Sequence, residues 1–449
     1  MMKALGRKDW CLFILISRLC IVKAFVVSSF PPHLQFPPRG LALPTKRNTC
    51  NLSLQSTTYQ DDLIRTEQKF RVGIAGAGAI AFGTAALLAE VGHDPMIWSP
   101  SGAGTLELRN SPEISVLKKQ TNLDDGAQGQ CNFTPRIANS ARELVEENDV
   151  VIIALPANGH KRVFDAIAPH IRHGQSIIIS SHASFGALYL AQLLREYLGN
   201  NAKVPITAWG TTVCTARRPS GTSVRVNTVR KSVDTCTIPH SDSNDSIKLC
   251  QTLFPQVGKF VLRNGLLAIA LSNLNPQNHL GIALGNISRM EKGETWYQSE
   301  NITPTIGRLL ESLDRERLDI ADALNLETKT IFEHFSLSFH VPITDSIADM
   351  NQEIHKAGND VYGPDSVDSR YITEDIPFGI VPTVQLGNMV NRPAHLHQSG
   401  LALVSAMYGR DFVAENDLLP SLELERYSLE ELQEAALTGV FKQASSAAR

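Results

Sequence analysis

The stretch from Arg71 to Trp98 constrains this chain more than any other. Arg71–Ala75 is a short β-type run, followed by Gly76-Ala77-Gly78-Ala79-Ile80-Ala81. An apolar helical pattern continues through Val91, and residues 95–98 read as a second strand. Strand, glycine turn, helix and strand form the setting in which G-x-G-x-x-A binds a dinucleotide. Gly76 permits the tight turn, and Gly78 lets the backbone approach a pyrophosphate. Ala81, the tolerated variant of the third glycine, lets the helix pack on the strand. The pyrophosphate would lie on the N–H groups of Ala79 and Ile80 at the helix start, where the dipole favours negative charge.

Many NAD-binding chains place Asp or Glu at the end of the second strand to hold the ribose hydroxyls. Here that position reads Trp98-Ser99-Pro100-Ser101-Gly102, without an acid. Nothing there repels a 2′-phosphate, and Ser99 or Ser101 can donate to one, so the expected cofactor is NADP, with NAD as the alternative. The pattern then continues as a doubly wound sheet. Residues 150–155 are a continuous apolar run, as in a strand buried on both faces. The run ends in Pro156-Ala157-Asn158-Gly159-His160, a loop at the carboxyl edge where cofactor and substrate meet, with Pro156 as a cofactor contact. His160 is either a site residue near the nicotinamide or a solvated histidine at a helix start. Residues 176–180 read as a strand turning into a helix at 185–197, and residues 204–208 supply another strand. The alternation over 223–238 predicts antiparallel strands closing the domain near residue 262.

Charge separates the N-terminus from the rest. Of 42 Lys and Arg and 45 Asp and Glu, residues 1–60 hold eight basic residues and one acid, Asp9. The remainder carries 34 basic against 44 acidic residues, a net charge of −10. So acidic a body repels a phosphate backbone, which argues against nucleic acid as a partner. At the N-terminus, Lys3, Arg7 and Lys8 precede an apolar run over residues 10–17 that Arg18 interrupts. That run is too short to span a bilayer, which takes about 20 residues. It fits a cleavable signal-like segment with a small residue, Ala24, before Phe25. Residues 25–60 contain no acid, several Ser and Thr and scattered Pro, which is transit-peptide composition. The order resembles the bipartite plastid presequences of algae with secondary plastids. The alternatives are a disordered extension without an import role, and a mitochondrial or cytoplasmic location; no membrane association is expected of the mature form. Three of the seven cysteines (Cys11, Cys20, Cys50) fall in this leader. Cys131, Cys214, Cys236 and Cys250 lack metal-ligand spacing and read as free thiols, so no metal site is expected.

Beyond Arg263 helical periodicity replaces the strand signals. Ile306, Leu309, Leu310, Leu313, Ile320, Ala321 and Leu324 mark one helix face. The other face, with Asp314-Arg315-Glu316-Arg317, is expected to be solvated. The organisation that follows is a leader over 1–69, an α/β Rossmann (doubly wound) domain over 70–262 and an all-α substrate domain over 263–449.

Two segments of the second domain carry chemistry. In Asn273-Leu274-Asn275-Pro276-Gln277-Asn278-His279, Asn275 and His279 are four apart and project from one side of a helix. In Arg370-Tyr371-Ile372-Thr373-Glu374-Asp375, Arg370 and Asp375 bracket a polar loop. Reducing an imine needs a proton donor of histidine's kind, a carboxylate to orient it and a cation for a substrate carboxylate. His279, Asp375 and Arg370 match those residue types, although a lone His or an Arg–Asp pair is usually structural.

Asn275-Pro276-x-x-His279 resembles the N-P-x-x-H segment that opens the helical domain of opine (octopine/nopaline) dehydrogenases. Arg370-Tyr371-x-x-Glu374-Asp375-Ile376-Pro377-x-Gly379 resembles the same family's second signature. Thr303-Pro304, Pro156-Ala157-x-x-His160 and Gly409-Arg410-Asp411-Phe412 also match, so the resemblance runs from Arg71 to about residue 435. It implies reductive condensation of an amino acid with a 2-oxo acid, a His279–Asp375 proton relay, Asn275 as a polar substrate contact and Arg370 as carboxylate anchor. Monomer and homodimer both stay open. Two departures stand out. The family's stretch after the last Rossmann strand usually begins with Glu and contains L-P-Y, where this chain has Trp209-Gly210-Thr211-Thr212-Val213-Cys214-Thr215-Ala216-Arg217. Leu280 replaces a Pro that commonly follows the histidine. The first bears on amino-acid recognition, since that strand end should line the cleft.

The competing enzyme class is a reductase like ketopantoate reductase or glycerol-3-phosphate dehydrogenase. Those place a catalytic Lys in the helical domain, and no Lys here has the expected flanks. A non-catalytic NADP-sensing protein is the other alternative; it would be free to lose the proton donor or its partner, and this chain keeps both. The leader gives the first prediction. A fluorescent reporter fused behind residues 1–60 is expected to enter the plastid, and a reporter that stays in the cytosol overturns the import reading.

Overall fold

Alternation of apolar side chains builds a sheet buried on both faces. The computed structural model describes residues 68–119 and 128–441; the leader, with Cys11, Cys20 and Cys50, lies outside the described residues. In the first half the strands are β1 (Arg71–Ala75), β2 (Asp94–Trp98), β3 (Ile114–Lys119), β4 (Gln128–Phe133), β5 (Arg136–Ile137) and β6 (Val150–Ile153). There follow β7 (Ser176–Ile179), β8 (Ile206–Trp209), β9 (Cys214–Ser220), β10 (Ser223–Val229), β11 (Val233–Ile238) and β12 (Phe260–Leu262). The main sheet has the order β12-β11-β8-β7-β6-β1-β2-β5, reversing direction around β1 as a doubly wound sheet does. Its neighbours are parallel except β11 against β8.

Successive residues point to opposite faces. Val72, Ile74, Val150, Ile152 and Ile178 pack on the side of helix α1 (Ala79–Glu90). Val151, Ile153, Ile177 and Ile179 pack on the other side, in a core that continues into the helical half through Leu266, Leu271, Leu280 and Leu313.

The expectation for 223–238 needs correction. Its two halves join different sheets. Val224 and Val226 alternate with exposed residues, and β10 pairs with β9 in a second sheet of order β4-β3-β10-β9. All six residues of β11 are buried, and that strand enters the main sheet antiparallel to β8, with β12 beyond it at the edge. The second sheet lies on α1, where a Cβ at Gly83 would stand 2.9 Å from the Cys214 sulfur.

After β12 the chain is helical, with α2 (Gly265–Ser272), α3 (Asn275–Glu291), α4 (Pro304–Ala323) and α5 (His395–Tyr408) at its centre. The charged face of α4 is a second correction. Asp314 and Arg317 are both 3% exposed, and their ion pair measures 2.7 Å. Asp314 also accepts from the Gln277 side chain and from the Ile331 amide, and Arg317 donates to the carbonyls of Leu271 and Lys329. Glu316 accepts from His397 Nδ1 at 2.8 Å; of the four, Arg315 alone is exposed. These charges are buried because backbone ends from three segments converge on them and satisfy their polar atoms.

Two more histidines are interior. His160 is fully buried, its Nε2 paired with the Leu155 carbonyl and its ring tilted on Phe164, so it is not a solvated histidine. His182, just past β7, takes the Ala187 amide on Nε2 and leaves Nδ1 without a partner. Burial pushes the two imidazoles down to about 4 and about 3, respectively. None of Cys131, Cys214, Cys236 and Cys250 is in a disulfide, and of the four only Cys131 is exposed. Among the described residues no helix is long and apolar enough to cross a membrane.

Asp314→Ala would leave Arg317 as an uncompensated buried cation, with an expected loss of about 3–5 kcal/mol of stability. Urea unfolding checks this; a loss below about 1 kcal/mol, the range of exposed pairs, would contradict it.

Candidate active site

The first element of the site is the glycine turn after β1. Gly76 has φ 131°, and a Cβ there would stand 2.2 Å from the Ala154 carbonyl oxygen, so only glycine fits. Gly78 differs, since a Cβ there would meet nothing within 4 Å. It is the N-cap of α1, no side chain caps that helix, and the first turn closes with Phe82 N donating to Gly78 O. The amides of Ala79 and Ile80 are therefore left for a ligand, with open space above Gly78. Those residues fit a dinucleotide pyrophosphate. Ser99, nearly buried at the end of β2, accepts the Gly104 amide at 3.2 Å and lies 3.4 Å from the Ser101 hydroxyl. Pro156 opens a one-turn helix, Ala157–Gly159, beyond β6.

The second element is an imidazole fixed by a carboxylate and a stacked ring. His279 lies in the first turn of α3, and its Nδ1 is 2.7 Å from Asp375 Oδ2. Tyr371 stacks on the ring with centroids 3.5 Å apart and planes 8° from parallel. The Tyr371 hydroxyl donates to Gln298. Burial, then the Asp375 charge, push that phenol up to about 12, so it stays a neutral donor. Asp375 is 6% exposed and caps a π-helical turn, Ile376–Ile380. A Cβ at Gly379 would stand 2.2 Å from the Pro276 ring, so the glycine is what lets this turn close onto the start of α3.

The segment expected to be a loop between Arg370 and Asp375 is a short helix, Arg370–Thr373, running into that turn. Arg370 Nε donates to Glu374 Oε2 at 2.9 Å, and the guanidinium is 64% exposed. Its two Nη nitrogens have no protein partner among the described residues. Glu374 is raised above the usual carboxylate range by burial, and its Oε1 accepts the Ala157 amide at 3.1 Å. One carboxylate thus joins the turn after Pro156 to Arg370. Asn275 shares the His279 side of α3, half-buried, and among the described residues its side chain makes no hydrogen bond. The domains are also tied through Ser184, which donates to Phe378 O at 2.8 Å, and Asn416, which donates to Ser184 and to Pro377 O.

With this geometry in view, comparison with known proteins is informative. A model for the NAD/NADP octopine/nopaline dehydrogenase α-helical domain matches residues 262–408, and one for ketopantoate reductase PanE/ApbA matches residues 72–233. An opine dehydrogenase from Arthrobacter sp. (strain 1C) is 30% identical over 78% of this chain and 93% of its own. The chain belongs to the opine dehydrogenase family. It is an NAD(P)H-dependent dehydrogenase of the opine type, and the ketopantoate reductase family model matches only the first domain. The fold agrees: an octopine dehydrogenase solved with NADH and L-arginine has TM-score 0.68 at 18% identity, covering 84% of this chain and 99% of its own. A yersinopine dehydrogenase solved with NADP⁺ has TM-score 0.57 at 13% identity, covering 82% and 98%.

Four residues of this opine dehydrogenase site escaped sequence reasoning. Tyr371 and Glu374 sit inside the second signature, but only the fold reveals the stacking and the bridge to Ala157. Gln298 carries no local signal. Arg218, on β9, donates to the Ala77 and Gly104 carbonyls at 2.6 and 2.9 Å and lies 4.3 Å from the Phe82 ring centroid. It thereby ties the glycine turn to the loop holding Ser99.

The two glycines should separate in mutants. Gly78→Val is expected to abolish NAD(P)H binding, read by cofactor fluorescence, while the thermal midpoint holds. Gly76→Ala should cost at least about 1–3 kcal/mol of stability through strain. A collapsed midpoint in Gly78→Val would contradict the open space above that residue.

Proposed function

We propose that this enzyme condenses an amino acid with a 2-oxo acid and reduces the product to a secondary-amine dicarboxylate, with NADPH preferred over NADH. The observation that carries this reading is the His279–Asp375 hydrogen bond, locked by Tyr371 and set beside the open fork of Arg370. The amine nitrogen of one substrate adds to the carbonyl carbon of the other, and loss of water leaves a C=N bond. Gly76, Gly78 and the amides of Ala79 and Ile80 would hold the pyrophosphate of a reduced nicotinamide dinucleotide, which would supply hydride for the carbon of that bond. The chain itself supplies the rest.

Asp375 accepts from His279 Nδ1, orients the ring and stabilises its charged form, in which Nε2–H delivers a proton to the nitrogen. Stacking on Tyr371 holds the ring plane, so that proton has one direction of delivery. Arg370 offers its two Nη nitrogens to a substrate carboxylate, a planar fork that matches two oxygens. Asn275, one turn before His279, offers an unengaged amide to the same substrate. For the cofactor, no acid follows Trp98, Ser99 and Ser101 can donate to a 2′-phosphate, and the Arg218 guanidinium stands at Gly104 in the same loop. Import into a plastid, on the leader composition, would give the reaction its compartment.

His279→Ala or Asp375→Asn should lower turnover by about 10²- to 10⁴-fold and leave NADPH binding intact. Arg370→Lys should chiefly raise the Michaelis constant for one carboxylate substrate. NADPH oxidation with pyruvate and a panel of amino acids measures each, with NADH run in parallel. Near-normal turnover by His279→Ala refutes the mechanism, and equal or better efficiency with NADH refutes the cofactor preference.

A further inference from the structure

We propose that this enzyme is a homodimer, joined by the outer faces of two antiparallel copies of α5. From His395 to Tyr408 that helix contains no Asp, Glu, Lys or Arg. Leu396, Ser399, Ala402, Leu403, Ala406 and Met407 form one outward stripe, with Leu396, Leu403 and Met407 exposed at 39%, 55% and 51%. The strongly polar side chains that α5 exposes, His395 and Gln398, sit in its first turn. A surface helix ordinarily turns a charged face to water, as α4 does with Arg308, Arg315, Asp319 and Asp322. α5 has no such face. Nor can the chain bury the stripe by rolling the helix. On the inner side a Cβ at Gly400 would stand 2.7 Å from the Leu280 side chain, and Val404 is buried. Glu316 holds the amides of Leu396 and His397 and the His397 ring, which sets the rotation of the helix at its start. A contiguous apolar stripe fixed outward marks a contact with another molecule.

Spacing and charge identify that molecule as a second copy. Leu396, Ser399, Leu403 and Ala406 recur at intervals of three and four, the seam of a helix pair. The small side chains of Ser399, Ala402 and Ala406 let two helices approach to about 8 Å. Beyond the ends of the stripe the charges are opposite. Arg392, three residues before α5, is exposed; its guanidinium reaches only the carbonyl of Asn391 and forms no ion pair among the described residues. Asp411, three residues after α5, is exposed; it accepts the Val413 and Ala414 amides and has no cationic partner among the described residues. A two-fold axis beside Ala402 would set Arg392 of each chain by Asp411 of the other, and Leu396 by Met407. One patch then meets itself with opposite charges at both ends, as a two-fold contact requires. A parallel pair would oppose like charges instead.

Sedimentation equilibrium on the full chain tests this without reference to turnover. The wild type should sediment as two chains at about 100 µM, a concentration that populates any dimer with a dissociation constant below about 10 µM. Leu403→Glu, which sets a carboxylate from each chain beside the axis, should raise that constant by at least about 100-fold. Circular dichroism should stay that of the folded chain, because the position is exposed in the single subunit. Arg392→Glu and Asp411→Arg should each weaken self-association by about 10-fold through like charges at both ends. An equimolar mixture of these two variants should dimerise more tightly than either alone, since both end contacts again pair opposite charges. A wild type that stays monomeric overturns the proposal and leaves the face to another protein or to a membrane. A dimer that Leu403→Glu leaves intact overturns it by placing the contact elsewhere. A mixture no tighter than its components overturns the antiparallel arrangement.

Discussion

Asp375 reaches His279 across 96 residues of sequence, and most of the second domain serves that single hydrogen bond. The bond requires the start of α3 and the π-helical turn to touch, which the pairing of Gly379 with the Pro276 ring permits. It also requires both to stay against the sheet. Asn416 and Ser184 secure this by binding the carbonyls of Pro377 and Phe378, inside the same turn that Asp375 caps. A buried, fully partnered polar cluster is costly to rearrange, so the imidazole is held before any substrate arrives.

Legibility in the sequence followed the range of the interactions. The glycine turn was readable because its demands are local: a positive φ at Gly76 and space above Gly78 depend on a few neighbouring residues. The doubly buried strands were readable because burial on both faces leaves a continuous apolar run, as at 150–153. His279 and Asp375 could be singled out through their signatures, yet their 2.7 Å separation is a property of the packing. Gln298 had no signal, since a glutamine in a turn looks the same everywhere. Asp314 and Arg317 misled for the opposite reason. Their spacing is that of a solvated pair, and only the convergence of Leu271, Lys329 and Ile331 makes it a buried one. The β3–β4 ladder was missed because its polar residues imitate a loop.

Charge is distributed against the overall trend. The chain beyond the leader is acidic, while Arg370 stands beside the catalytic dyad and Arg218 at the cofactor loop. A positive cleft in a negative body concentrates small anions at one place and leaves the remaining surface repellent to polyanions. Carboxylate substrates and a phosphate-bearing cofactor are both drawn by the same field, which is weakened by salt.

His160 and His182 flank the carboxyl edge of the sheet and are neutral in the folded protein, with native values near 4 and 3 against about 6.5 for a free imidazole. Above that ordinary value neither state binds a proton at these positions. As pH falls below it, the unfolded chain takes up protons that the native interior refuses, and the balance moves towards unfolding until the native values are reached. Acid therefore works against this enzyme through the loops that end β6 and β7. The edge that carries the chemistry is also the one that a proton load destabilises, which ties the stability of the enzyme to a medium above the ordinary imidazole value by its architecture.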